Sequence, residues 1–173
     1  RLIRRGQAIP AQSMVVPHTV GYDPAFKSEA STYDPGRAKA LLDLYGYTDK
    51  TGDGWRDQPN GEPLLLEYSS QPDQLSRTQQ DLWQKAMNAI NVRIEFRIAK
   101  WHEQLKQSRA GKLMIWGVAW GGTNPDGQYY LDLLYGPNKG QANHARFDLP
   151  AFNTLYERIA VMPDGPEREA LMR

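Results

Sequence analysis

The sequence has no cysteine. Disulfides, thiol nucleophiles and thiolate metal sites are therefore excluded, although this alone does not decide the compartment. No apolar run approaches the roughly 20 residues of a membrane-spanning helix. Charge of either sign is hardly in excess: 21 Lys and Arg oppose 20 Asp and Glu, a formal net charge of +1 over 173 residues. That balance argues against a nucleic-acid partner, which asks for a basic face. Arg1, Arg4 and Arg5 cluster at the start and read as solvated. Gly-x-Ser-x-Gly elbows, dinucleotide fingerprints and phosphate-binding glycine loops are all missing. His18, His102 and His144 have no His, Cys or acidic neighbour at metal-ligand spacing. Nothing in the chain supports catalysis, a resident metal or a cofactor. An initiator Met and a signal-peptide pattern are also missing, and the helical pattern from Pro166 to Arg173 runs on without a stop signal. Both ends read as cut from a longer protein.

What is present is an ordinary globular composition, with 40% hydrophobic and 24% charged residues, enough for one domain or a large lobe. Residues 6–33 show no period and carry Pro10, Pro17 and Pro24, which predicts an extended surface loop. Asp34 then caps a helix with Pro35 in its first position and Ala38, Leu41, Leu42 and Tyr45 on its inner face. Gly46 ends it. A turn-rich loop over 48–63 precedes a short buried strand at Leu64–Tyr68. A long helix from Gln74 to Asn91 turns Leu75, Leu82, Trp83, Ala86, Met87 and Ile90 inward. Val92, Ile94, Phe96 and Ile98 alternate with charged residues, the period of a half-buried strand. After a helix at Trp101–Ala110 comes the run Leu113–Trp120, so apolar that it predicts a central strand covered on both faces. Gly121–Gly127 breaks it. Further helices carry Tyr130, Leu131, Leu133 and Leu134, then, after a polar loop at 136–147, Phe152, Leu155, Tyr156 and Ile159. Alternating strands and helices predict an α/β fold, a largely parallel sheet flanked by helices.

Ligands of such sheets bind beyond the carboxyl ends of the strands. That rule picks out Trp116, Trp120, Gly121, Gly122, Thr123, Asn124 and Asp126 as candidate ligand-binding residues. Trp120, beside two glycines, is expected to face the ligand, because an aromatic ring gives large contact area at low entropic cost. Trp83 is expected in the core. A second candidate is Asp49–Asp57, which spaces oxygen side chains like the start of a calcium loop. Its twelfth place is Asn60 rather than a bidentate Glu, and Lys50 and Arg56 oppose a cation, so a tight Asp-Gly turn is expected instead.

Several stretches together resemble one family. Tyr33-Asp34-Pro35-Gly36-Arg37-Ala38-Lys39-Ala40-Leu41-Leu42 is similar to the Tyr-Asp-Pro-x-x-Ala-x-x-Leu-Leu signature of the oligopeptide/dipeptide-type solute-binding proteins of ABC importers (extracellular solute-binding protein family 5). Gly46-Tyr47, Thr51-Gly52-Asp53-Gly54, the passage Ile90–Phe96, Ala119-Trp120 ahead of Pro125-Asp126, and Asn143–Asp148 follow in the family's order. The resemblance covers residue 6 to the end. It implies a non-enzymatic, monomeric, periplasmic receptor of two lobes. Such a receptor closes on a peptide or other small polar molecule and delivers it to a membrane permease. Residues 1–173 would be a piece of the C-terminal lobe, without the N-terminal lobe. The family's first Asp after Gly-Trp-x-x falls on Thr123, and Ala119 stands where a Gly precedes the Trp, so the ligand is expected not to depend on a free α-amino group held here. Two other classes are open to the residues alone: a protein-recognition module, or a small hydrolase domain without evident catalytic residues.

Overall fold

The computed structural model describes residue 3 and residues 6–173; the charge cluster Arg1, Arg4 and Arg5 lies outside them. The chain forms two compact units. The first comprises residues 33–105 and 113–118, the second residues 9–32, 106–112 and 119–173.

The first unit begins with α1 (Pro35–Leu44). The Asp34 carboxylate accepts a hydrogen bond from the Arg37 amide at 2.9 Å, capping one of the donors that a helix start leaves unpaired. At the other end Gly46 takes φ +79°, and the amides of Gly46 and Tyr47 return to the carbonyls of Asp43 and Leu42. That is the paired closure which glycine permits without a Cβ penalty. Leu42 and Ala38 are half-buried as expected, but Leu41 and Tyr45 are exposed. The inner face of α1 is thus narrower than its apolar pattern suggests.

Strands β1 (Leu65–Ser70) and β2 (Arg93–Ile98) flank helix α2 (Gln74–Ala89) in sequence and pair in parallel, Leu65 opposite Arg93 and Ser70 opposite Ile98. A parallel pair requires such a crossover. Tyr68, Ile90, Val92 and Ile94 form the buried apolar centre. Trp83, expected in the core, stacks on Tyr68 at 5.6 Å but keeps 37% of its surface exposed, and Leu75 is also exposed. Only one edge of the α2 stripe meets the sheet.

The apolar run at 113–120 is not the central strand. The sheet order is β2-β1-β3, so β1 is central and β3 lies at the edge, with two residues only (Ile115–Trp116). The register explains this. Tyr68 faces Ile115 and Ser69 faces Trp116, so continuing the ladder would match residues 118 and 119 with Gln71 and Pro72, and proline has no N–H to give. The last β1 carbonyl, Ser70, is already taken by the Ala99 amide and by the buried Gln104 side chain at 2.6 Å. Beyond Gly117 the chain is unpaired and exposed. Helix α3 (Trp101–Arg109) connects β2 to β3, and its Trp101 stacks on Trp116 at 5.5 Å.

The second unit holds α4 (Gln128–Leu131), α5 (Pro150–Val161) and α6 (Pro166–Met172), with short 3-10 turns after α4. Its buried apolar residues are Val15, Tyr130, Ile159 and Met172. The early segment runs over this unit largely exposed, as expected for 6–33, but Val15 anchors it and Val20 pairs with Asp126 in an isolated parallel bridge. The polar loop 136–147 is organised by Asn143, fully buried, whose amide donates to the carbonyls of Tyr135 (3.0 Å) and Phe147 (2.7 Å).

Candidate functional site

Among the candidate residues, the structure brings together those from Trp120 onward, all in the second unit. Trp116 belongs to the first unit, stacked on Trp101. Residues 120–125 are exposed and free of helix or strand, whereas Gly127 is buried. What fixes this segment is its end. The Val20 amide donates to the Pro125 carbonyl at 2.9 Å, and the Gly127 amide returns to the Val20 carbonyl at 3.0 Å. A Cβ on Gly127 would lie 2.5 Å from that same carbonyl oxygen, so only glycine fits there.

The exposed part rests on aromatic rings. Trp120, 40% exposed, lies 6.0 Å from Tyr129 at a 38° tilt. Tyr129 meets the buried Tyr130 edge-on at 5.6 Å, and its hydroxyl donates to the Gly121 carbonyl at 3.2 Å. Gly122 sits directly over the Tyr130 hydroxyl, 2.2 Å from where a Cβ would be. Gly122 thus lets the backbone lie close on Tyr130, while a Cβ on Gly121 would meet open space.

Asp126 has a different task. Its carboxylate is gripped by both terminal nitrogens of Arg168, at 2.7 and 3.3 Å, and accepts the Gln128 amide at 2.8 Å. Arg168 is itself buried and also donates to the Ile159 carbonyl and the Gln128 side chain. Burial pushes the Asp126 carboxyl up, but the hydrogen bonds from Arg168 and Gln128 and the Arg168 charge outweigh it and hold the group below its usual range. Arg168, Tyr129 and Gly127 were not among the candidates. Arg168 had a findable signal: an arginine on the face of α6 that also carries Met172, which is buried.

In the Asp49–Asp57 loop the carboxylates point at the loop's own backbone. Asp49 accepts the amides of Gly52 (2.7 Å) and Gly54 (2.8 Å), and the Gly54 bond foremost lowers its pKa. Asp53 accepts the Trp55 amide and pairs with Arg93, and buried Asp57 accepts the Lys50 amide at 2.9 Å. These are clamps of an Asp-Gly turn. Among the described residues no three His, Cys, Asp or Glu side chains group as metal ligands. Arg56, from the same loop, turns inward, donating to the Ile90 carbonyl (2.8 Å), the Tyr47 carbonyl (2.5 Å) and Asp43 (2.5 Å). His144 hydrogen-bonds Ser108 at 3.0 Å; burial first, then the Arg109 charge, lowers its pKa.

The family described as bacterial extracellular solute-binding proteins, family 5 Middle, matches residues 1–142. The chain is 28% identical to the di/tripeptide-binding protein 2 of Pseudomonas aeruginosa (strain UCBPP-PA14), over all of this chain and 31% of that protein. It is 29% identical to the nickel-binding periplasmic protein of Escherichia coli (strain K12), over 83% of this chain and 28% of that one. Among solved structures, it superposes on the oligopeptide-binding protein of Bacillus subtilis in complex with a nonapeptide with a TM-score of 0.81. There the identity is 17%, over 98% of this chain and 35% of the other. The chain therefore spans about a third of the length of the curated relatives it matches.

Proposed function

The chain belongs to the bacterial extracellular solute-binding proteins, family 5, a family of non-enzymatic binding proteins, and from that premise we propose that it is part of the receptor lobe of an ABC importer. In this reading residues 1–173 are a piece of the C-terminal lobe of a periplasmic, monomeric receptor. The whole protein captures a peptide or other small polar solute between two lobes and passes it to a membrane permease. Trp120, Gly121, Gly122, Thr123 and Asn124 contact the solute. Trp116, in the edge strand and stacked on Trp101, is a further solute contact in this reading, and Asp126 holds the segment in place as the counter-ion of Arg168.

The observation that carries this reading is the exposed, glycine-lined segment laid over Tyr129 and Tyr130 with Trp120 half open at its edge. A ring held from behind and open in front contributes contact area to a ligand without being needed to fill the core. The known ligands of the relatives, di/tripeptides and nickel among them, support the solute class and leave its chemistry open. The test is Trp120→Ala in the whole protein. Affinity for the co-purified solute is expected to fall tenfold or more while the melting temperature moves by less than a few degrees. Unchanged affinity with a large loss of thermal stability would make Trp120 a packing residue and sink the assignment.

A further inference from the structure

We infer that Val20 is a positioning residue of the Trp120 segment, and that it acts through its backbone rather than its side chain. The inference rests on the solute-binding reading above and adds to it the part of the chain that sets where the solute contact stands.

The segment has few ties. Among the described residues, the backbone of residues 119–127 is joined to a distant part of the chain by two backbone–backbone hydrogen bonds, and both are made with Val20. The Val20 amide donates to the Pro125 carbonyl at 2.9 Å, and the Val20 carbonyl accepts the Gly127 amide at 3.0 Å. A slip by one residue would break both bonds and leave the amide of buried Gly127 without a partner. Val20 itself is 40% exposed, so this position contributes its N–H and C=O rather than a core side chain.

Those two groups are held in place from both sides. Before Val20 in the chain, Val15 is buried and packs against Gly127, where a Cβ would lie 3.2 Å from a Val15 methyl carbon. After it, Gly21 takes φ +84° and lies against buried Met172 of α6, so that a Cβ on Gly21 would come within 2.7 Å of the Met172 Cβ. The left-handed φ and the close approach both call for glycine. Helix α6 therefore holds the end of the segment by two routes. Arg168 grips the Asp126 side chain, and Met172 backs Gly21, whose neighbour Val20 bonds Pro125 and Gly127. The ion pair, made at the end of a side chain, does not by itself set the direction of the backbone. The two bonds of Val20, one on each side of Asp126, do. Trp120 extends from that fixed end, and a segment ordered before the solute arrives loses less entropy on binding.

The experiment incorporates fluorotryptophan into the whole protein and follows the fluorine resonance of Trp120, assigned by its absence in Trp120→Ala. Val20→Pro removes the N–H that bonds Pro125. An α-hydroxy acid at position 20 deletes that N–H alone and takes the place of proline if the proline variant does not fold. Val20→Thr keeps the backbone and changes only the exposed side chain. Asn143→Ala lowers stability in the same unit without touching Val20. The Trp120 resonance is expected to shift or broaden in the variants that lack the N–H, and to stay as it is in Val20→Thr and Asn143→Ala. Affinity for trialanine, titrated by calorimetry, should fall several-fold in the variants that lack the N–H and tenfold or more in Trp120→Ala. An undisturbed Trp120 resonance in the variants that lack the N–H, or one disturbed equally in Asn143→Ala, would overturn the inference and leave the solute-binding reading intact. Trialanine binding that is unchanged in Trp120→Ala would count against both readings. Where trialanine does not bind, the fluorine resonance alone decides.

Discussion

Two buried arginines, one within each unit, show how much a single residue can organise. Arg56 spends its guanidinium mainly on the carbonyls of Ile90 and Tyr47, with Asp43 as the charged partner. Asp43 is more than half exposed, so that ion pair by itself contributes about 0–1 kcal/mol. Removing the arginine instead leaves two carbonyls without a donor. Arg56→Ala is therefore expected to cost about 2–6 kcal/mol in urea unfolding, counting about 1–3 kcal/mol for each of the two orphaned groups, and Asp43→Ala less than about 1 kcal/mol. Equal losses would mean that the ion pair, not the carbonyl bonds, carries the effect. In the second unit Arg168 is again the buried partner, but its main counter-charge, Asp126, is far less exposed than Asp43. Asp126→Asn should cost about 3 kcal/mol, the lower end for a buried charge that loses its main partner, because the exposed Asp164 carboxylate stays at 3.2 Å from Arg168. Titration has a sign here too. The folded-state pKa of Asp126 is below the ordinary 3.8, so its contribution is present above 3.8 and lost as pH falls through the lower folded value. His144 likewise titrates below its ordinary 6.5 in the fold. Protonation is easier in the unfolded chain, so stability falls as pH drops below about 6.5. His144→Gln should flatten that part of the stability–pH curve while leaving the acid limb from Asp126. An unchanged curve between pH 7 and 5 in His144→Gln would remove the histidine from the account.

Elements were legible where the signal is local. The Asp34 cap, the Gly46 closure, the α2 crossover and the alternation of β2 follow from neighbours a few residues apart, and the structure has each of them. The apolar run at 113–120 misled because hydrophobicity reports what a strand could bury, not how long its partner is. Its length was set by Pro72 and by the Ser70 carbonyl being occupied, some 40 residues earlier in the chain. The candidate segment shows the same division. Its glycines and Trp120 stand out in the sequence, while the grip of Arg168 on Asp126 and the contact of Val20 with Gly127 join positions far apart. Gly127 gives the sharper test at this scale. A methyl group there meets the Val20 carbonyl oxygen at 2.5 Å, and because that oxygen is backbone, already bonded to the Gly127 amide, it cannot simply rotate away. Gly127→Ala should cost about 1–3 kcal/mol as local overpacking. Gly121→Ala, with open space around it, is the control: without a clash it should be neutral or slightly stabilising, since alanine lowers the entropy of the unfolded chain, and a comparable loss there would remove the clash from the account.

On the scale of the whole chain, among the described residues each unit has four buried apolar side chains, whereas twenty large apolar ones are exposed. The exposed ones are not scattered tips alone. Leu44 and Tyr45 end α1 together, Val161 at the end of α5 is 85% exposed, and the second unit has an apolar hollow of about 330 Å³ bordered by Met14, Phe26, Leu131 and Phe152. Exposed apolar surface of this kind favours association. Two consequences are measurable on the 173-residue chain by itself. It should bind an apolar dye such as anilinonaphthalene sulfonate while keeping a native circular dichroism spectrum, and it should self-associate at tens of micromolar. Leu44→Lys with Val161→Lys should reduce that association without lowering the melting temperature. Neither side chain fills the core, and a cation near a helix C-terminus is favourable by about 0.3–1 kcal/mol. The same chain should bind solute at least a hundredfold more weakly than the whole receptor, since one wall of an enclosing site supplies part of the contact and no exclusion of water. Solute affinity equal to that of the whole protein would mean that residues 1–173 make a complete site, and the two-lobe reading would have to be given up.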